Sequence, residues 1–89
     1  MSRRFTVRLT DRFIKDLKIL PRKEQGKVLQ LLKQLETNPL EPSSRVKKLK
    51  SKGVGRWRLR TGNYRVRYDV FKQDVVLYRV RHRKDIYKD

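Results

Sequence analysis

The second half of the chain alternates apolar and cationic residues with a period of two, and this pattern constrains the fold more than any other feature. Three such stretches occur, at Gly55–Arg60, Tyr64–Val70 and Val75–Arg81. Side chains alternate between the two faces of a strand, so each stretch predicts a strand with one apolar and one basic face. The predicted inward residues are Trp57, Leu59, Tyr64, Val66, Tyr68, Val70, Val76, Tyr78 and Val80. Short connections at 61–63 and 72–74 predict antiparallel hairpins.

The first half predicts a strand followed by two helices. Apolar and polar residues alternate over Arg3–Leu9, which is typical of a strand. Thr10 or Asp11 can cap a helix with one apolar stripe, and Pro21 ends that helix or begins the next. The segment that follows has apolar residues at i, i+3, i+4 and i+7, which predicts a second helix. We therefore expect one α+β domain over residues 1–89, ordered β-α-α-β-β-β, with a helical hairpin packed on an antiparallel sheet.

The chain is strongly basic, with 26 Lys and Arg against 9 Asp and Glu and a formal net charge of +17. Such a field attracts polyanions, so a nucleic acid or an acidic protein is the expected partner. Residues 45–89 hold 16 of these basic residues, which assigns the binding surface to the second half. We interpret the basic run Arg45–Lys52 as a loop. No apolar run is long enough for a membrane span or a secretion signal, so a cytoplasmic location is expected.

Zero cysteines and a single histidine restrict the chemistry. The acids of the basic half do not cluster, so we expect neither a metal nor a cofactor. A nuclease with these residues would have to use the ribose 2′-hydroxyl of RNA as its nucleophile. Arginines would then stabilise the phosphorane-like transition state while a tyrosine, histidine or lysine moves protons.

Arginines on the outward positions of the predicted strands are candidate phosphate ligands. They are Arg56, Arg58, Arg60, Arg65, Arg67, Arg79 and Arg81. Arginine pairs with phosphate through a planar fork, and positions two apart on a strand recur about every 7 Å. An ordinary solvated strand face is the alternative, although such a face normally mixes both signs of charge.

The segment 81–87 gathers His82, several cations and Tyr87 at the edge of this predicted face. It is the candidate reactive corner. The alternative is that Ile86 and Tyr87 anchor a frayed tail and that His82 is an ordinary histidine.

Two segments carry a specific pattern: 59–68 reads Leu-Arg-x-Gly-x-Tyr-Arg-Val-x-Tyr, and 82–87 reads His-Arg-Lys-Asp-Ile-Tyr. Together with 15–21 and 48–50, they resemble the RelE/ParE toxin superfamily over nearly the whole chain. The resemblance implies a RelE-like fold and a RelE-type toxin of a type II toxin–antitoxin pair, which enters the 30S A site of the ribosome and cleaves the bound mRNA. It also implies a cognate acidic antitoxin that covers the basic face.

The resemblance assigns roles to individual residues. Arg65 matches the strand arginine that holds the scissile phosphate, and Arg83 matches the C-terminal arginine near the leaving group. Tyr87 matches the tyrosine that acts as a base or stacks on the substrate. Arg56 and Arg58 replace strand lysines of relatives, and because arginine keeps its proton, they can supply charge but not proton transfer.

Proton transfer would then involve His82 or the lysines at 48, 50 and 52, or the activity would be low. The predicted catalytic residues are Arg58, Arg65, His82, Arg83 and Tyr87. The predicted RNA-binding residues are Lys48, Lys50, Lys52, Arg56, Arg60, Arg67, Arg81 and Lys84. Two alternatives stay open: a ParE-like inhibitor of DNA gyrase, and a non-catalytic RNA- or ribosome-binding module.

Overall fold

The computed structural model describes residues 4–40, 46–50 and 53–86. Within these ranges the elements are β1 (Thr6–Leu9), α1 (Asp11–Ile19), α2 (Arg22–Leu35), β2 (Val46–Lys48), β3 (Trp57–Thr61), β4 (Tyr64–Phe71), β5 (Asp74–His82) and α3 (Arg83–Ile86). The predicted α+β class, with a helical hairpin on a sheet, is confirmed, and β2 and α3 are additional elements. None of the helices in the described ranges is long and apolar enough to cross a membrane.

The strands of the described residues form a five-stranded mixed sheet in the order β1-β5-β4-β3-β2. Strands β2 to β5 form an antiparallel meander, in which the hairpins β3-β4 and β4-β5 are those that the short connections predict. Strand β1 pairs in parallel with β5, with Thr6 opposite Asp74. This pairing joins residues that are distant in the sequence, so the local pattern does not predict it.

Helix α1 begins at the predicted cap. The Oγ1 of Thr10 accepts a hydrogen bond from the N–H of Phe13 at 3.1 Å and donates one to the carbonyl of Leu77 at 2.8 Å. This side chain therefore caps the helix and also ties its first turn to β5.

The core lies between the helical hairpin and one face of the sheet. The predicted stripe of α2 is confirmed, since Val28, Leu32 and Leu35 are buried. The sheet contributes a face that we call the covered face, formed by Leu59, Tyr64, Val66, Tyr68, Val75, Leu77 and Val80.

A register shift in the pairing of β4 with β5 corrects the predicted phase of β5. Arg67 pairs with Arg79 but Tyr68 pairs with Leu77, so Tyr78 is an extra residue. An extra residue in one strand is a β-bulge, and it reverses the alternation on one side of itself. Val75 and Leu77 are therefore buried, and the prediction that Val76 and Tyr78 point inward was wrong, whereas Val80 is buried as predicted.

Strand β2 corrects the interpretation of the basic run Arg45–Lys52 as a loop. Val46 is fully buried and pairs with Leu59 of β3. The sequence gives no alternation here because a single apolar residue is followed by two lysines. Pairing with β3, which is distant in the sequence, determines this strand, and β2 forms an edge of the sheet.

Candidate nucleic-acid interface

Two rows of cations run across the strands on the side of the sheet opposite the covered face. The first row pairs Lys47 with Arg58, Arg58 with Arg67 and Arg67 with Arg79. In the second row, Arg65 stands between Arg60 and Arg81. We call this surface the arginine face; its residues are Lys47, Arg58, Arg60, Arg65, Arg67, Arg79 and Arg81. Neighbours within a row are about 4.8 Å apart along the sheet, and the rows are about 7 Å apart.

Like charges directly opposite each other on a sheet are destabilising, so the arginine face is not explained by stability. The Nε of Arg58 is buried and has no hydrogen-bond partner among the residues that the structure describes. A buried donor without a partner costs free energy unless another molecule supplies the acceptor. The guanidinium groups of this face create a dense positive field that favours a bound anion.

Some of these arginines also make bonds within the protein. The Nε of Arg79 donates to Oδ2 of Asp16 on α1 at 2.7 Å, and the backbone N–H of Val80 donates to the same oxygen at 3.2 Å. Nη1 of Arg65 donates to the carbonyl of Tyr64 at 3.2 Å. These bonds hold the two side chains in defined positions on the arginine face.

A loop at Gly55 crosses one end of the arginine face and is held by two side chains of β4. The buried carboxylate of Asp69 accepts hydrogen bonds from the N–H groups of Gly55 and Arg56 at 2.8 and 2.7 Å, and Nε of Arg67 donates to the carbonyl of Gly55 at 2.7 Å. Gly55 has φ +76°, and a Cβ there would come within 3.1 Å of the Cβ of Arg67. Glycine is thus required by the close approach of this loop to the sheet.

Tyr78, which was predicted to point inward, lies instead on the arginine face. It lines a pocket with Val54, Arg65, Arg67, Arg79 and Arg81. Burial, the negative charge of Asp69 and a hydrogen bond with its carboxylate raise the pKa of Tyr78 above the usual tyrosine value. The phenol therefore keeps its proton at neutral pH. No local signal in the sequence predicts this position, because it depends on the bulge.

Arg65 and Arg83, both predicted catalytic residues, line the same cleft. The cleft has a volume of about 650 Å³ and is bounded by Lys27, Gln30, Leu31, Arg60, Thr61, Gly62, Arg65 and Arg83. The backbone N–H of Arg83 donates to the carbonyl of Asn63 at 2.7 Å, which fixes the start of α3 against the turn between β3 and β4. The fold thus brings together two arginines that the sequence separates.

His82 occupies the end of β5 and lies on the other side of the sheet from Arg65. Its ring meets the ring of Tyr64 edge-on, with centroids 5.2 Å apart. Nδ1 accepts a hydrogen bond from the N–H of Lys84 at 3.1 Å, so the side chain caps the first turn of α3. Its position is adjacent to Arg83 along the chain rather than within the arginine rows.

The two lysines of β2 lie on opposite sides of the sheet. Lys47, which was not predicted, belongs to the arginine face, whereas its neighbour Lys48 pairs with Trp57 on the covered side. Lys48 lines a second cleft together with Arg56, near the exposed Phe71. Lys50 and Lys84 are exposed. The predicted residues Lys52 and Tyr87 lie outside the described residues.

Within the described ranges, no group of three or more His, Cys, Asp or Glu side chains is placed to hold a metal ion. Asp16 and Asp69, the acids nearest to the arginine face, bond to Arg79 and to backbone N–H groups respectively.

A family model described as the ParE toxin of type II toxin–antitoxin systems matches residues 7–87. The chain belongs to this toxin family. The match covers most of the chain and confirms the resemblance to the RelE/ParE superfamily on which the sequence predictions depend.

Relatives and solved structures agree with this assignment. The chain is 33% identical to the candidate toxin RelE1 of Methanocaldococcus jannaschii over 97% of its own length and 98% of that protein. It is similar to a chain in the toxin–antitoxin complex RelBE2 from Mycobacterium tuberculosis, with a TM-score of 0.77 and 30% identity over 89% of this chain and 98% of that one. An archaeal RelE–RelB complex from Pyrococcus horikoshii gives a TM-score of 0.74 and 26% identity, covering 89% of this chain and 94% of its counterpart.

Proposed function

We propose that this toxin is a ribosome-dependent, metal-independent endoribonuclease that cleaves mRNA in the A site and so inhibits translation. The observation that carries the proposal is the arginine face, whose second row leads from Arg81 through Arg65 to the cleft that also contains Arg83. A row of guanidinium groups along a groove suits the backbone of a single RNA strand.

In the proposed reaction the ribose 2′-oxygen attacks the adjacent phosphorus and the bond to the 5′-oxygen breaks. The 2′-hydroxyl loses its proton to a base and the departing 5′-oxygen receives one, which leaves a 2′,3′-cyclic phosphate and a 5′-hydroxyl end. The phosphorane gains negative charge, and Arg65 and Arg83, which line one cleft, would stabilise it. Arginine does not exchange protons at ordinary pH, so Tyr87, His82 or a lysine would carry the proton transfers.

We further propose a cognate acidic antitoxin as the partner that neutralises the toxin. The formal net charge of +17 and the arginine face would attract an acidic segment, and the two solved relatives described above were captured in complexes with antitoxins. Binding there would exclude RNA from the same cations.

The test adds the purified protein to translating ribosomes with a defined messenger and maps new RNA ends by primer extension. We expect cuts within the A-site codon, and we expect Arg83→Ala and Tyr87→Phe to remove them. Arg22→Ala is the matched control, because Arg22 is an exposed arginine that does not line the cleft. A messenger with 2′-deoxyribose in the A-site codon should stay intact. Intact messenger with the unmodified protein would contradict the proposal.

A second candidate is a ParE-like inhibitor of DNA gyrase, which the description of the matching family model favours. This function predicts that the protein blocks gyrase supercoiling of plasmid DNA while ribosome-bound messenger stays intact. The two assays on one preparation separate the candidates.

A further inference from the structure

Tyr78 places an aromatic ring among the cations of the arginine face, and the proposed cleavage chemistry gives it no role. It lines a pocket of about 190 Å³ whose other walls are Val54, Arg65, Arg67, Arg79 and Arg81. Both rows of cations contribute to these walls, and Tyr78 directly precedes Arg79 of the first row along β5. Aromatic rings interleaved with cations are the combination that binds single-stranded nucleic acid.

Tyr78 has Asp69 and the Gly55 loop as neighbours. The carboxylate of Asp69, which interacts with the hydroxyl group of Tyr78, is itself held by the N–H groups of Gly55 and Arg56. A Cβ on Gly55 would lie 3.6 Å from Cδ2 of Tyr78, so the loop backbone packs close to one part of the ring. A ring held in this way loses little conformational entropy when a ligand packs on it.

The geometry points to a nucleobase-binding subsite at Tyr78, in which phosphates of a single RNA strand bind the arginine rows and an unstacked base packs on the tyrosine ring. This inference rests on the proposed action on RNA and deepens it. Arginines alone can bind the RNA backbone in several registers, because every phosphate is equivalent. A base packed on the tyrosine ring determines which nucleotide reaches the cleft of Arg65 and Arg83. Stacking on an aromatic ring accepts every base, so Tyr78 selects position along the strand rather than base identity.

Photo-crosslinking tests the subsite directly. Messenger carrying 5-iodouridine in and next to the A-site codon is bound to ribosomes with the wild-type protein, irradiated, and the crosslinked peptide is identified by mass spectrometry. We expect the crosslink at Tyr78. The buried residues Tyr64 and Tyr68 serve as internal controls that should stay unmodified. Crosslinks confined to other residues would overturn the subsite.

Affinity for short single-stranded RNA, measured by fluorescence anisotropy, gives a second test. Tyr78→Leu should weaken binding about 10-fold, whereas Tyr78→Phe, which keeps the ring, should bind within about 2-fold of wild type. An RNA with one abasic nucleotide at the crosslinked position should also bind about 10-fold more weakly, and Tyr78→Leu should not weaken it further. The salt dependence should not change, because phosphate contacts persist.

Equal losses for intact and abasic RNA would overturn the subsite and assign Tyr78 to support of the Gly55 loop. Circular dichroism checks that the Tyr78→Leu variant is folded. If the variant is unfolded, the crosslink measured on the wild-type protein still decides whether the subsite exists. Base-dependent binding and a Tyr78 crosslink without any cut messenger would contradict the proposed cleavage but not the subsite. Cut messenger without the Tyr78 crosslink would contradict the subsite but not the proposed cleavage.

Discussion

The covered face and the arginine face are built by the same strands, yet they differ in almost every physical property. Leu59, Val66 and Leu77 of the covered face are fully buried, and each such side chain contributes about 1.5–3 kcal/mol of hydrophobic free energy. Across the sheet, Arg58 stands opposite Arg67 and Arg60 opposite Arg65, which opposes folding. The comparison indicates that stability resides on the covered face, and we propose that the opposite face, which alternates with it residue by residue, binds the ligand.

The two faces also differ in how regular they are. The covered face continues without interruption because the bulge at Tyr78 restores Val80 to the core. On the side of the arginine face, β4 and β5 also carry residues that are not cations, among them the buried acid Asp69, its partner Val76 and the aromatic Tyr78. Asp69 and Tyr78 lie next to the Gly55 loop, where a hydrogen bond and close packing give the surface a defined shape. We infer that the positive charge attracts RNA to this face and that the pocket beside Tyr78 positions the RNA.

The largest expected effect tests the covered face. Leu59→Ala should lower the free energy of unfolding by about 2–5 kcal/mol, because it removes buried methyl groups and leaves a cavity. Urea unfolding followed by circular dichroism measures the change. The neighbouring substitution Arg60→Ala is the matched control, since Arg60 is exposed on the other face. A similar loss in both variants would break the proposed separation of the faces.

The second prediction tests the arginine face. Arg65→Ala should reduce cleavage of ribosome-bound messenger by about 100-fold or more, because it removes a donor that faces the developing charge. Its free energy of unfolding should stay within about 0.5 kcal/mol of wild type, as is usual for a side chain outside the core. Primer extension measures cleavage and urea unfolding measures stability. An unfolded Arg65→Ala protein would show that Arg65 is structural.

The fold could be predicted largely from the sequence because local alternation reports burial on one face. The stretches that became β3 and β4 were predicted with the correct inward residues, and the stripe of α2 was confirmed at Val28, Leu32 and Leu35. Prediction failed where long-range pairing determines the structure. The bulge in β5 and the strand at Val46–Lys48 depend on which distant residue lies opposite, and a single sequence does not contain that information.

The candidate site also divides into residues that local alternation predicted and residues that depend on strand pairing. Alternation predicted that Arg58, Arg65 and Arg67 share a face, and the register confirms it. The position of Lys47 on this face was missed because it needs the pairing of β2 with β3, and Tyr78 was misplaced because of the bulge. Each missed residue is thus one whose side is determined by a neighbouring strand.

A smaller effect is expected at Tyr68, which anchors the covered face through a hydrogen bond from its hydroxyl to the carbonyl of Pro39 at 2.7 Å. Tyr68→Phe should lower the free energy of unfolding by about 1 kcal/mol at neutral pH, because the buried carbonyl loses its donor. Burial raises the pKa of Tyr68 above its ordinary value of 10.0. Above that pH the unfolded chain releases this proton while the folded protein keeps it, so wild-type stability should fall as pH rises.

Urea unfolding at neutral pH and above pH 10.0 measures both effects. The decline with pH should be shallower in Tyr68→Phe than in wild type. An equally steep decline would show that other tyrosines, such as Tyr78, account for the alkaline loss.

The smallest expected effect sharpens the comparison within one short strand. Lys47→Ala removes a cation from the arginine face, whereas Lys48→Ala removes an equal charge from the other side of β2. Lys47→Ala should weaken RNA binding a few-fold and reduce the slope of log K against log salt by about 0.7, the value for one phosphate contact on a single strand. Lys48→Ala should leave that slope unchanged. Because both variants carry the same net charge, any difference between them reports the side on which the lysine lies. Equal effects would mean that RNA responds to the overall field of the toxin and that the arginine face has no special place in binding.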